Sequence, residues 1–374
     1  MTLHTGWNVS WATGCSGGLR GIGLSADEMT APTQQRLVPL TTGRTDLVTM
    51  VLATWLMIGL FLDGYAHTNL IDELESFFTP WHAVFYSGFL ASSAWVAWII
   101  YKNVVTGHPL RTAIPGGYGP TVLGLTIFAL GGIGDGIWHT IFGVEAGIDA
   151  LLSPTHFLMF LGGVLGLSTA IRTTRLRNMG ESVASGDSLP LLISLLLITA
   201  AMAFFVAYVW IPGQPTILEV PYSPASGDGQ GAVGYFISGM LVSTTVLLAP
   251  LIIVLRWWRP PVGTVALVWV LVNAAIALSF DLHFGVALVF GLTGGAVGEA
   301  VRVVLKPGPS NRVGSLALMT AVPVAAWSGF IVAYAVVGSI AWPPEIWVGS
   351  VILSGLAGAG LGWISLPDPV RGPS

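Results

Sequence analysis

Charge is scarce in this chain. Asp, Glu, Lys and Arg make up 9% of its 374 residues, against 53% hydrophobic, whereas soluble domains carry about 25% charged residues. So few polar side chains cannot cover a water-facing surface. A soluble globular fold is excluded, and an all-α, polytopic membrane helical bundle is expected. Cysteine is nearly absent as well. Cys15 is the one thiol, which excludes an intrachain disulfide and a thiolate metal cluster; any metal would have to be bound through His, Asp or Glu. The 14 Lys and Arg residues are scattered, not gathered in a stripe, and the glycine runs lie inside apolar spans without the lysine of a phosphate loop. Neither nucleic acid nor nucleotide is an expected partner.

What the chain has instead is apolar runs of bilayer-spanning length, about 20 residues each. They fall at 47–66, 82–101, 121–140, 154–171, 189–210, 232–254, 263–281, 284–303, 314–338 and 346–365, which predicts about ten transmembrane helices embedded in lipid. The seventh and eighth are joined by little more than Asp281, Leu282 and His283. Residues 1–45 are rich in Gly, Thr and Ser with no run long enough for a signal peptide, and Met29 and Met50 are alternative starts. This segment, with His4 and Cys15, is expected to be a disordered cytoplasmic tail. Residues 46–172 then carry four helices and the chemistry below, and 173–374 add six more.

Charge placement sets the expected topology. Lys102 and Arg111 lie between the second and third spans, Arg172, Arg175 and Arg177 after the fourth, Arg256 and Arg259 after the sixth, and Arg302, Lys306 and Arg312 after the eighth. With a hairpin at 281–283, all basic residues share one side, and the positive-inside rule puts both termini in the cytoplasm of a cell in whose plasma membrane the chain sits. The remaining loops hold no Lys or Arg but carry or border Asp63, Glu73, Asp135, Glu145, Glu219, Asp281 and Glu345. Five of the seven histidines, His67, His82, His139, His156 and His283, fall on this outer side. Glu299 and Arg302, three apart on the eighth span, are expected to pair.

The outer side repeats itself. Asp63 to His82 reads D-G-Y-A-H-T-N-L-I-D-E-L-E-S-F-F-T-P-W-H, and Asp135 to His156 reads D-G-I-W-H-T-I-F-G-V-E-A-G-I-D-A-L-L-S-P-T-H. Asp63 and Asp135 are 72 apart, as are His67 and His139, and His82 and His156 are 74 apart. The acids Glu73 and Glu145 each follow the first histidine by six residues. The pattern predicts tandem repeated helical hairpins.

In a helix, Asp63 and His67 share a face, as do Asp135 and His139. Thr79 and Ser153 are N-cap residues in type, and Pro80 and Pro154 suit a first turn, so His82 and His156 project from helix starts. The positive end of a helix disfavours an imidazolium and leaves the neutral ring a metal needs. Each hairpin thus offers one carboxylate and two imidazoles with open positions: Asp63, His67 and His82 in one, Asp135, His139 and His156 in the other. For any single histidine the plainer reading is a polar residue at the end of a span, in contact with water and headgroups; that reading leaves the joint recurrence unexplained. Glu73 and Glu145 could add a ligand, orient a histidine, or be plain loop acids. Asp281 and His283 form a third acid and histidine pair without the spacing. Gly131, Gly132, Gly134 and Gly136, with Gly162, Gly163 and Gly166, would let helices close around the motif or simply pack. Trp81 and Trp138 sit where an interfacial aromatic belt is expected.

At these residues the chain resembles the C subunit of the copper membrane monooxygenases, the particulate methane and ammonia monooxygenases. That family has two tandem units, one written D-x-x-W-H then T-P-S-H, the other Asn-x-x-x-His then P-L-H. Here D-G-I-W-H at Asp135–His139 with S-P-T-H at Ser153–His156 is similar to the first, and His67 with Thr68, Asp72 with Glu73, and P-W-H at Pro80–His82 are similar to the second. The likeness covers roughly residues 45–172. Asp63 stands where the family has Asn, the D-x-x-W-H unit comes second, and about six further helices follow. The resemblance implies two copper sites, one of Asp63, His67 and His82 and one of Asp135, His139 and His156. It further implies a monooxygenase-type oxidoreductase acting on an apolar small-molecule substrate, and other membrane subunits.

Ligand type alone leaves zinc and iron open beside copper. A zinc-dependent membrane hydrolase, in which a His/Asp site activates water against a lipid amide or ester, is the second reading; a requirement for dioxygen and a reductant separates the two. A metal ion transporter or storage protein is the third, and predicts ionisable residues deep in the later helices, where Asn273 is nearly the only polar candidate.

Overall fold

The computed structural model describes residues 38–70, 78–143 and 148–367, with Asp149 and Ala150 described by their backbone alone. His4, Cys15, Glu73 and Glu145 lie outside the described residues, so the expectations placed on them are not addressed by it. Among the described residues the regular structure is helical, without strands. The principal helices are α1 (Gly43–Asn69), α2 (Pro80–Val105), α3 (Gly119–Phe142), α4 (Pro154–Leu167), α5 (Thr169–Arg177), α6 (Ser185–Phe205), α7 (Gln230–Trp257), α8 (Thr264–Ser279), α9 (Phe284–Leu305), α10 (Arg312–Val337) and α11 (Pro344–Ser365). Helices α4 and α5 meet at Ser168 and together make one span, Pro154–Arg177.

Each of the ten expected spans falls on helix. Nine helices among the described residues are long and apolar enough to cross a membrane, so the chain is an integral, multi-pass membrane protein. The tenth, α8, has 16 residues, about 24 Å of rise against a hydrocarbon core of about 30 Å. The fifth expected span ends early, at Phe205. After it, Ala207–Val209, Ile211–Gly213 and Pro215–Glu219 form three short 3₁₀ turns, the last two carrying Pro212 and Pro215, which cannot donate the backbone bonds of a continuing helix. Trp210, Ile211 and Leu218 of this irregular segment are buried, and Trp210 Nε1 donates to Asn273 Oδ1 at 3.1 Å. Asn273 is thereby accounted for as a buried structural contact.

Antiparallel hairpins pair α1 with α2, α3 with α4, α8 with α9 and α10 with α11. Close approach is built from glycine. A Cβ on Gly88 would lie 2.6 Å from Leu56 Cα, and one on Gly162 would lie 2.5 Å from the Gly124 carbonyl oxygen and 2.7 Å from Phe128 N; only glycine lets these backbones touch. Leu56, Phe85, Phe128 and Met159 then close one small core between the two hairpins. Positions 56 and 128 are 72 apart and 85 and 159 are 74 apart, the intervals of the Asp and His motif. A larger buried cluster runs without interruption from Met50 and Met57 on α1 through Leu195, Phe204 and Leu251 to Trp327 and Phe330.

The end of the hairpins opposite the motif is tied by an ion network. Asp46, fully buried in the first turn of α1, accepts from the Arg177 guanidinium at 2.6 Å and from the Tyr118 hydroxyl at 2.8 Å. Arg177 also reaches Asp187 on α6 at 2.7 Å and the Thr41 carbonyl at 3.0 Å. Burial and the Asp46 carboxylate push the Tyr118 phenol above its usual range. The expected pair of Glu299 and Arg302 is present at 2.5 Å, and Glu299 also accepts from the Val265 backbone at 3.1 Å.

Candidate metal centre

Asp63 and His67 occupy the last two turns of α1, and Asp135 and His139 the last two of α3. His82 and His156 are the third residues of α2 and α4. The recurring Ser/Thr-Pro-x-His has a local explanation in cap geometry. Thr79 Oγ1 accepts the His82 backbone N–H at 3.1 Å and sits 3.0 Å from the same residue's Nδ1. Ser153 Oγ does the same for His156, at 3.3 and 2.7 Å. Each cap hydroxyl therefore starts a helix and holds an imidazole by its inner nitrogen. His139 is held differently. Gly143 ends α3 at φ 87°, a left-handed turn that favours glycine, and its carbonyl lies 3.1 Å from His139 Nδ1.

With Nδ1 of His82, His156 and His139 engaged, the Nε2 atoms of these rings, and that of His67, face the carboxylates. His82 Nε2 is 3.6 Å and His67 Nε2 3.9 Å from Asp63 Oδ2. His139 Nε2 is 3.5 Å and His156 Nε2 3.0 Å from Asp135 Oδ1. Two donors each about 2.1 Å from one ion stand about 3.0–3.4 Å apart; the His156–Asp135 spacing is such an edge, and the other three are 3.5–3.9 Å, so an ion would have to draw those donors in by a few tenths of an ångström. Asp63, His67 and His82 place donor atoms within 4.8 Å of one another, and so do His82, Asp135 and His139. His82 belongs to both sets.

The hairpins bring their copies together. Ring centroids are 5.6 Å apart for His67 and His82, 6.3 Å for His67 and His139, 6.1 Å for His82 and His139, and 6.2 Å for His139 and His156. The result is one cluster of six side chains. Among the described residues no Lys or Arg pairs with Asp63 or Asp135. Two carboxyl groups in an apolar bundle stay ionised only if positive charge balances them; the alternatives are protons on the carboxyls or on the surrounding imidazoles, or a shared cation.

No family model, curated protein or solved structure matches this chain. The chemistry therefore has to be read from the cluster and its surroundings. A cavity of about 90 Å³ adjoins it, lined by Asp63, His67, His82, Asp135 and His156 together with apolar side chains that include Phe85 and Phe204. Neutral imidazole and carboxylate ligands beside an apolar pocket suit a first-row transition ion and an apolar molecule.

All six motif residues meet here, while Asp281 and His283 do not join them. Asp281, at φ 47°, turns the chain between α8 and α9, and the His283 ring packs against Tyr334, whose hydroxyl donates to Glu219 at 2.6 Å. Trp138, beside His139, packs on Phe142 with centroids 4.4 Å apart. Two residues of the site escaped the sequence reading. The Tyr86 hydroxyl donates to Asp135 Oδ2 at 3.3 Å, and Thr155 Oγ1 donates to Oδ1 at 3.2 Å. The signals were available: Thr155 is the variable residue of S-P-T-H, and Tyr86 lies four residues after His82 on the same helical face.

Proposed function

We propose that this chain is a multi-pass protein of the cell membrane whose two hairpins bind copper, and that it serves a monooxygenase-type oxidoreductase as a membrane subunit. One observation carries the reading: six side chains with metal-donor atoms, drawn from two hairpins, converge in one cluster, each imidazole within 3.0–3.9 Å of an aspartate oxygen. The intervals of 72 and 74 that relate the motifs also relate the glycines and core residues of the two crossings, which supports a duplicated hairpin. Asp63, His67 and His82 would hold one ion, and Asp135, His139 and His156 the other, with His82 near both. Copper, the redox activity and the further subunits come from the resemblance of D-G-I-W-H and S-P-T-H to the C subunit of copper membrane monooxygenases. The positive-inside rule puts Lys102, Arg111, Arg172 and Arg177 in the cytoplasm and the cluster, at the other helix ends, outside.

Copper, when bound, supplies one-electron chemistry toward dioxygen. The chain's own residues do the rest. Thr79, Ser153 and Gly143 orient imidazoles, and the apolar wall around Phe85 and Phe204 excludes water and admits an apolar molecule from the bilayer. Purified protein loaded with Cu²⁺ and given a reductant and short alkanes or alkenes should consume dioxygen, and the variant His67→Ala should not. Zinc-stimulated cleavage of a lipid amide or ester without dioxygen would instead support the hydrolase reading.

A further inference from the structure

The two hairpins match at their ligands and differ around their carboxylates. Asp135 accepts two hydroxyls, from Tyr86 on α2 and Thr155 on α4, and is 1% exposed. The intervals that relate the histidines match Tyr86 with Phe160 and Thr155 with Trp81, neither of which has a hydroxyl. Among the described residues Asp63 accepts from no hydroxyl, and it is 13% exposed. Its Oδ2 lies 3.6 Å from His82 Nε2 and 3.9 Å from His67 Nε2.

The difference extends to the supporting backbone. A Cβ on Gly132 would lie 2.8 Å from Tyr86 Cε1 and 3.3 Å from its hydroxyl oxygen, so the bare glycine is what seats the tyrosine. The matched position is Leu60, a bulky side chain packed on the small core of Leu56, Phe85, Phe128 and Met159. The Tyr86 ring is fixed further by stacking on His82 at 6.2 Å and 25° and by a 3.6 Å contact from its hydroxyl to Met159 Sδ. A hydroxyl seated in this way spans the hairpins, joining a ligand-bearing helix of one to the carboxylate of the other.

Hydrogen bonds to both oxygens fix a carboxylate's rotation and the lone pairs it presents, whereas a carboxylate held by imidazoles alone can change its mode of binding. We infer that Tyr86 and Thr155 are positioning residues that lock Asp135 as a rigid ligand, and that the two halves of the cluster are therefore unequal. The Asp135 half holds its ion in one geometry. The Asp63 half is the adjustable one, and takes a small nitrogen- or oxygen-donor ligand from the adjoining cavity. This rests on the metal reading above.

The test is a Cu²⁺ titration of the full chain in detergent against a competing chelator, followed by electron paramagnetic resonance, with azide as the small donor. The wild type should show two unequal equivalents. Tyr86→Phe and Thr155→Val should each weaken one of them roughly tenfold to a hundredfold, the range found when a ligand's orienting partner is removed, and leave the other unchanged. Gly132→Ala, which crowds the tyrosine without touching a donor, should weaken the same equivalent. Azide should alter the spectrum of the equivalent that disappears in Asp63→Ala and leave the Tyr86-dependent one unaltered. Tyr86→Phe with both affinities and both spectra unchanged, or with both weakened alike, overturns the inequality and leaves metal binding standing. A wild type that takes up no more Cu²⁺ than the double variant Asp63→Ala/Asp135→Ala overturns the metal reading itself.

Discussion

The imidazoles of His67 and His139 lie face to face, with ring centroids 6.3 Å apart and 23° between planes. They are the corresponding histidines of two sequence copies 72 residues apart, each four residues after its aspartate at the end of a different helix. They can meet only because both hairpins direct their turns to one place. Two ligand sets in one cluster have a consequence that two distant sets would not. His82 stands within ligand range of Asp63 and also of Asp135 and His139, while His156 contacts Asp135 at 3.0 Å. His82→Ala should therefore disturb both metal equivalents and His156→Ala one, counted by metal analysis of purified protein after dialysis. Equal losses of one each would mean two independent centres.

The cap hydroxyls are expected to act on metal binding through the rings they hold. Thr79→Ala removes an N-cap, costing about 1 kcal/mol of stability, and also releases His82 Nδ1 from its 3.0 Å contact. Metal affinity should fall by about tenfold or more. Thr79→Ser keeps the hydroxyl and should restore both melting temperature and affinity. A Thr79→Ala protein that melts lower yet binds metal as tightly as the wild type would confine Thr79 to capping.

Asp46 and Arg177 give a prediction about stability alone. The pair lies 17 residues before Asp63 along α1, about 25 Å from the cluster at the rise of a helix. Arg177→Met strands the fully buried Asp46 carboxylate and should cost about 3–5 kcal/mol, seen as a large shift in the denaturation midpoint in detergent. Metal content of the surviving folded protein should match the wild type. A shift too small to measure would mean that the hydroxyls of Tyr118, Thr41 and Thr173 suffice to hold Asp46.

Helix spacing around the cluster rests on glycine, and unequally so. Gly162→Val would drive side-chain atoms into the Gly124 carbonyl and the Phe128 backbone, which cannot yield without parting α3 from α4. A loss of about 1–3 kcal/mol is expected, together with weaker metal binding as Asp135 and His156 move apart. Gly163→Ala, one residue on, meets nothing within 4 Å and should be neutral in both assays.

Much of this was legible in the sequence because a bilayer demands long apolar runs, and each of the ten runs corresponds to a helix. Matched spacing likewise singled out Asp63, His67, His82, Asp135, His139 and His156. The spans misjudged in length were those whose ends depend on tertiary packing. The apolar run continues past Phe205, but as a buried irregular segment of 3₁₀ turns that includes Pro212 and Pro215, and α8 stops at Ser279 after 16 residues. Contacts between distant residues were the hardest to read. Asp46 binds Arg177 across 131 positions with no shared motif, and Tyr86 reaches Asp135 across 49 with only its place four residues after His82 to mark it.

The central claim is that the paired hairpins form a metal centre, and metal analysis with electron paramagnetic resonance on the purified full chain tests it most directly. The wild type should retain about two equivalents after dialysis, and His67→Ala and His139→Ala should each retain less, with altered spectra. Metal content and spectra identical in the wild type and both variants would contradict the claim, leaving six polar side chains that serve only to hold two hairpins together.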